Sequence, residues 1–202
     1  MDFDQLNNLK GFMPNHEGLA LTKWAEEFAH YGPALEIGTF GGKSALYIAS
    51  GSSIHNQLVY TVDHHSGSEE HQLGEEYFDE EIYDYEKERV DTLPLFLKNI
   101  AAHNLKESIK PLIMESESAS KVIKDHIDMV FIDGSHTFES TRNDYRCWKD
   151  KIKNGGILAI HDIYDSELEG GQAPKEIYLK SLEEGFKLIE RVKSLVILEK
   201  SN

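Results

Sequence analysis

Apolar residues along the chain switch between two spacings. Short runs rich in Val, Ile, Leu and Ala recur at 34–37, 58–62, 110–114, 129–132 and 157–160, bounded and of strand length. Between them Leu93, Phe96, Leu97, Ile100 and Ala101 keep helical spacing, as do Phe138, Thr141, Tyr145, Trp148 and Ile152. Each stripe predicts a helix that lays one face on the core. Strand alternating with helix is the pattern of a parallel α/β sheet. After Asp162 the alternation stops, and a helix near 174–184 precedes the runs FKLIERV and SLVILEK. The link between those runs is too short for a crossover, so they form an antiparallel hairpin at the sheet edge. The expected fold is α/β: a Rossmann-like mixed seven-stranded sheet, mostly parallel with an antiparallel C-terminal strand, and helices on both faces.

One stretch breaks the regularity. Residues 64–90, HHSGSEEHQLGEEYFDEEIYDYEKERV, are polar, acidic and aromatic. Inside a single domain spanning 1–202 they read as a lid-like insertion, with Tyr77, Phe78, Tyr83 and Tyr85 as wall residues against a substrate. The segment GFMPNHEG at 11–18 either closes over a ligand from the other side or leads into the helix carrying Trp24 and Phe28.

Composition narrows the partners. A chain of 202 residues, 40% hydrophobic, supplies one full core. Its 36 acids outnumber 21 bases for a formal charge of -15, with no basic cluster, which excludes nucleic acid and anionic membrane as partners. The surplus acid serves solubility, or else accompanies a neutral or cationic substrate. The first residues lack the pattern of a secretion signal, and no apolar run approaches the ~20 residues of a membrane span. With Cys147 as its one cysteine, the chain reads as cytoplasmic, its thiol a packing residue. A homo-oligomer stays open.

Ligands of open parallel sheets sit beyond the carboxyl ends of the strands, so the chemistry should lie in what each run ends on. The first runs into LEIGTFGGKS, whose spacing ExGxxGGxS differs from the GxGxxG of a dinucleotide site. Glu36 stands where a diphosphate would be repelled, and the glycines let a ligand approach the backbone. An adenosine-like ligand carrying a cation fits instead, and S-adenosylmethionine is one. Its expected contacts here are Glu36, Gly38, Thr39, Phe40, Gly41 and Ser44. The second run ends on Asp63 and His64, an acid placed for ribose hydroxyls. The third ends on Glu115, Ser116 and Glu117, within reach of a base edge. The fourth ends on Asp133, Gly134, Ser135 and His136, and the fifth on His161 and Asp162. The trio His64, His65 and His71 has no recognised metal spacing and reads as solvent-facing.

Taken in order, LEIGTFGGKS, VYTVD, MVFIDGSH and NGGILAIHD resemble the successive motifs of class I S-adenosylmethionine-dependent methyltransferases. Within that superfamily the chain looks most like metal-dependent small-molecule O-methyltransferases of the catechol and macrolide-sugar types. The resemblance implies methyl transfer to a hydroxyl of a small-molecule acceptor. It makes Asp133 a metal ligand beside the cofactor, His136 the base and Asp162 the last ligand. His161 stands where those families carry an acid, so the implied divalent metal (Mg, Mn or Fe) would be held by Asp133, His161 and Asp162. Imidazole suits Mn, Fe or Zn better than Mg, and that departure leaves the metal open. A metal-independent N-methyltransferase and a non-catalytic S-adenosylmethionine-binding domain are the alternatives.

Overall fold

The computed structural model describes residues 2–30, 32–68, 71–75 and 78–201. Two helices, α1 (Phe3–Asn7) and α2 (Asn15–Phe28), lead into β1 (Ala34–Ile37), α3 (Lys43–Ser52) and β2 (Val59–Val62). A small hairpin follows, β3 (Tyr83–Asp84) with β4 (Arg89–Val90), and then α4 (Leu93–Ala102), β5 (Ile109–Leu112) and α5 (Ser116–Val122). The chain continues through β6 (Ile127–Ile132), α6 (Phe138–Trp148) and β7 (Ile152–Ile160) to α7 (Ala173–Glu183), β8 (Phe186–Val192) and β9 (Leu195–Lys200). Seven strands form one sheet in the order β5-β2-β1-β6-β7-β9-β8. Neighbours are parallel except at β9, which runs antiparallel to both β7 and β8. This is the mixed sheet the sequence patterning predicts.

Burial explains why β9 rather than β8 lies inside. Leu195, Val196, Ile197 and Leu198 are apolar toward both faces and fully buried, whereas Lys187, Leu188 and Ile189 of β8 are exposed. A strand apolar on both faces belongs within the sheet.

Successive strand residues alternate between two cores. Leu35, Ile37, Val130, Ile132, Leu158 and Ile160 join the core that includes Tyr145 and Trp148 of α6 and Ile177 of α7. Ala34, Met129, Phe131, Ile157 and Ala159 join the one formed with α1 to α4. The same alternation puts Glu36 on the α2 side. One step beyond the strand ends, His161 also faces that side, its ring edge-on to Phe131 at 6.3 Å.

Several boundaries differ from the sequence reading. β5 ends at Leu112, two residues early, where Met114 N–H turns back to the Leu112 carbonyl. Ile152 belongs to β7 and not to the helical stripe, because α6 stops at Trp148 and Ile152 pairs with Ile127 across a register shift. Phe138 and Leu97 are nearly half exposed. Phe138 opens its helix, where no preceding turn covers it, and Leu97 sits on the outer shoulder of α4 while Phe96 and Ile100 face inward.

In the insertion, Phe78, Tyr83 and Tyr85 pack edge-on against one another, with ring centroids 5.4 and 5.0 Å apart. They do not line the cavity described below, and Tyr77 lies outside the described residues. Lys10 forms ion pairs with Asp79 and Glu81, fastening the N-terminal segment to the insertion. Among the described residues no helix is long and apolar enough to cross a membrane.

Candidate active site

A cavity of about 570 Å3 opens over the carboxyl ends of the strands, a volume suited to a small ligand. One half is built on the turn after β1. Gly38 has φ +83°, and a Cβ there would lie 2.0 Å from the Asp133 carbonyl oxygen, so a side chain is excluded and the loops after β1 and β6 touch. Asp63 organises the rest of the turn. Its Oδ2 accepts from Thr39 N–H at 2.8 Å and Phe40 N–H at 2.9 Å, while Oδ1 accepts from His65 N–H at 2.7 Å. Those bonds hold Phe40 at φ +49°, a left-handed conformation that a bulky residue keeps only when its surroundings impose it.

Of the expected cofactor contacts, Gly38, Thr39, Phe40, Ser44, Asp63, His64, Ser116 and Asp133 all line the cavity. Gly11, Phe12 and Met13 line it from the N-terminal segment, whose later residues from Asn15 on open α2. Three expected contacts fall elsewhere. Gly41 faces α4, its carbonyl accepting from Asn99 Nδ2 at 2.8 Å. Glu117 turns along its own helix to Lys121 at 2.7 Å. Glu36 lies behind the wall, fully buried, with neither carboxylate oxygen hydrogen-bonded among the described residues.

The state of Glu36 follows from that burial. An ionised carboxylate isolated in an interior costs several kcal/mol, on the order of the effective penalty for any buried ion, so the group holds its proton instead. Burial, aided by the like charges of Asp133 and Asp63, pushes its pKa up to about 8, although the Ser44 and Thr39 hydroxyls nearby work to lower it. The turn above it, with no room for a side chain at Gly38, offers bare backbone that an adenosyl ligand can approach closely.

The histidines after β2 pair with separate hydroxyls: His64 with Ser66 at 2.9 Å, His65 with Thr92 at 2.8 Å and His71 with Ser68 at 2.7 Å. His65 is also buried and stacked on Phe96, so it faces the core and not solvent.

The other half of the cavity is ionic. His136 Nε2 lies 3.1 Å from Asp162 Oδ2, and Asp162 Oδ1 accepts from the Tyr164 hydroxyl at 2.9 Å. Burial works against ionisation of Asp162, but His136 and His161 together hold its pKa below the ordinary value. Behind this pair His161 is buried between two acids, with Nδ1 3.0 Å from Asp133 Oδ1 and Nε2 3.0 Å from Glu17 Oε2. Glu17 Oε1 in turn accepts from Ser194 N–H and hydroxyl, both at 2.8 Å, and from Leu195 N–H at 3.2 Å.

Asp133 and Glu17 flank the ring, with the Ser194 hydroxyl 3.4 Å from Nε2, and two carboxylates favour the imidazolium, in which both nitrogens donate. Burial would lower its pKa; the charges of Asp133 and Asp162 and the bonds to Asp133 and Glu17 outweigh that and push it up to about 11. The same contacts hold Glu17 below its ordinary pKa, against the effect of its burial.

Each ring nitrogen of His161, expected among the metal ligands, already faces a carboxylate. Asp133, His136 and Asp162 instead present one donor atom each, all within 4.8 Å of one another. Two carboxylates and an imidazole fit a divalent cation such as Mn or Fe.

Three residues of the site escape the sequence reading: Glu17, Asp144 and Tyr164. For the first two a signal exists. Glu17 precedes Leu21 by four residues and Trp24 by seven on the buried stripe of α2. Asp144 lies between Thr141 and Trp148 on the buried stripe of α6. In both, an acid interrupts an apolar helix face.

Comparison with solved structures places this architecture in company. The chain is similar to the O-methyltransferase NovP, with TM-score 0.71 and 15% identity over 96% of this chain and 84% of that one. It is similar to the SAH-bound Podospora anserina methyltransferase PaMTH1, with TM-score 0.68 and 12% identity over 99% and 86%. An O-methyltransferase from Bacillus cereus, crystallised with SAH, matches with TM-score 0.65 and 16% identity over 98% and 87%. At these identities the likeness speaks for the fold. Residues 35–163, from the glycine turn to just past Asp162, match a family model described as a methyltransferase domain, and the chain belongs to that family.

Proposed function

We propose that this methyltransferase moves the methyl group of S-adenosylmethionine to a hydroxyl of a small molecule, with His136 as the base. The observation that carries the reading is the His136–Asp162 pair, 3.1 Å apart on the wall of the cavity that the glycine turn also lines. Neutral His136 donates its Nε2–H to Asp162 and leaves Nδ1 to accept a proton. The acceptor hydroxyl gives that proton to Nδ1 as its oxygen attacks the methyl carbon. The new O–C bond forms, the S–C bond breaks, and the cofactor leaves as neutral S-adenosylhomocysteine. Asp162 balances the imidazolium formed, as an acid orients histidine in other base-assisted sites. Alignment of oxygen, carbon and sulfur by the cavity supplies much of the rate.

A second reading comes from the donor set Asp133, His136 and Asp162. A divalent cation there would lower the pKa of a bound hydroxyl. His136 would then be a ligand, which takes it out of the base role. Labelled S-adenosylmethionine offered with a panel of catechols, phenols and sugars separates the two. The base reading expects activity that survives EDTA and falls about 10²- to 10⁴-fold in His136→Gln. Activity abolished by EDTA and restored by Mn favours the cation, and activity surviving both treatments overturns both.

A further inference from the structure

Asp144 is a carboxylate that the transfer chemistry leaves unused. It comes from the middle of α6, is 4% exposed, and still reaches the cavity wall. Burial, helped by the charge of Glu115, pushes its pKa up to about 6 despite a hydrogen bond with Ser116. Ser116 Oγ accepts from Trp148 Nε1 at 2.8 Å, so its own proton is free to go to Asp144. Among the described residues the Ser116 hydroxyl is the neighbouring donor that acts on this carboxylate, which has roughly four acceptor sites. A buried acceptor with unmet capacity at a cavity wall calls for a donor from the ligand.

The surroundings define that donor. The side chains of Val62 and Met114 line the same cavity and supply apolar surface. Gly134 supplies bare backbone, and a Cβ there would come within 3.1 Å of Asp144 Oδ2. A flat heterocycle fits between such walls, with an exocyclic amine at its edge meeting the carboxylate.

We propose that Asp144 accepts a hydrogen bond from the 6-amino group of the cofactor's adenine and thereby selects adenosyl over 6-oxopurine cofactors. The base edge is then read from α6 and not by Glu117, whose side chain lies along the surface of α5 with Lys121. This rests on the reading of the cavity as an S-adenosylmethionine site. A 6-oxopurine turns an oxygen toward Asp144, so two acceptors face each other and the hydrogen bond to a charged group is lost.

Calorimetric titration of the full chain with S-adenosylhomocysteine and S-inosylhomocysteine tests this. The wild type should prefer the adenosyl compound by about 10- to 100-fold, the scale of one hydrogen bond to a charged group. In Asp144→Asn the amide can donate to the 6-oxygen, and the preference should shrink or reverse, while Glu117→Gln keeps it. The readout is a ratio on one protein, so a general loss of stability does not imitate it. Should Asp144→Asn fail to fold, the N6,N6-dimethyl analogue of S-adenosylhomocysteine on wild type carries the test, and affinity equal to the parent compound overturns the proposal. Wild-type preference retained in Asp144→Asn overturns it as well. A wild type that binds neither nucleoside removes the cofactor reading itself, a result distinct from failure of Asp144 alone.

Discussion

The turn after β1 and the cluster after β6 and β7 share one sheet edge and are made of opposite materials. The turn is backbone: Gly38 gives up its side chain, and Asp63 spends its carboxylate on the N–H groups of Thr39, Phe40 and His65. The cluster is charge: Glu17, His161, Asp133, His136 and Asp162 contact one another through paired opposite charges, with neutral donors only at its ends, on Glu17 and Asp162. A backbone site is fixed by what is absent, so adding an atom breaks it. A charged site is fixed by balance, so removing one breaks it.

The sharpest test of that contrast is Glu17→Ala. It leaves the buried His161 imidazolium facing one acid fewer and strands the Ser194 and Leu195 donors, and breaking such a pair costs about 3–5 kcal/mol. Urea unfolding at pH 7 measures it; a loss under about 1 kcal/mol would mean that the balance matters little. Glu17→Gln, which keeps hydrogen bonds without the charge, should fall between. The pH dependence has a sign. His161 has its folded pKa raised from 6.5 to about 11, so its contribution is fully present below 6.5, declines as pH climbs, and is lost through about 11.

Gly38→Ala breaks the other half by addition. It overpacks against the Asp133 carbonyl, at about 1–3 kcal/mol, in a left-handed conformation that costs a further 1–2 kcal/mol or so. Calorimetry with S-adenosylhomocysteine should show binding lost or far weaker, and near-normal affinity would mean that the two loops separate easily.

Glu36 carries a gentler effect. Its folded pKa is raised from 4.5 to about 8, so the native chain holds a proton that the unfolded chain has released. Stability of the ligand-free protein should therefore fall as pH rises from 4.5 to about 8. Glu36→Gln should flatten that slope in chemical unfolding, and an unchanged slope would assign it to other groups.

Smallest is Lys10→Met, which removes exposed ion pairs worth about 0–1 kcal/mol. Global unfolding should barely move while limited proteolysis within 71–90 speeds up; equal cleavage rates would show that Lys10 does not fasten the insertion.

The same contrast explains what could be read from the sequence. The glycines of the turn fall within ten consecutive residues, so their spacing is legible even though Asp63 and Asp133 complete its geometry from afar. The sheet is legible for a similar reason, because alternation and run length are local properties. Glu17 and His161 are 144 residues apart in the chain, and nothing in either neighbourhood names the other. His161 therefore reads as a metal ligand by position, while in space two carboxylates flank its ring. Asp144 escapes a sequence reading because Glu117 sits beside Ser116 in the chain, whereas the next helix, α6, delivers the carboxylate in space.

The placement of β9 has a consequence for how the protein comes into being. A nascent chain that has emerged through Asp162 already carries the complete glycine turn, Asp63 and both strand-end clusters. It lacks Ser194 and Leu195, the donors that fix one oxygen of Glu17, and β9 still has to slot between β7 and β8. Order on the ionic side of the site thus waits for a strand synthesised after every other part of the site, and a ribosome-bound intermediate that stops short of β9 should bind the nucleoside before it can transfer a methyl group.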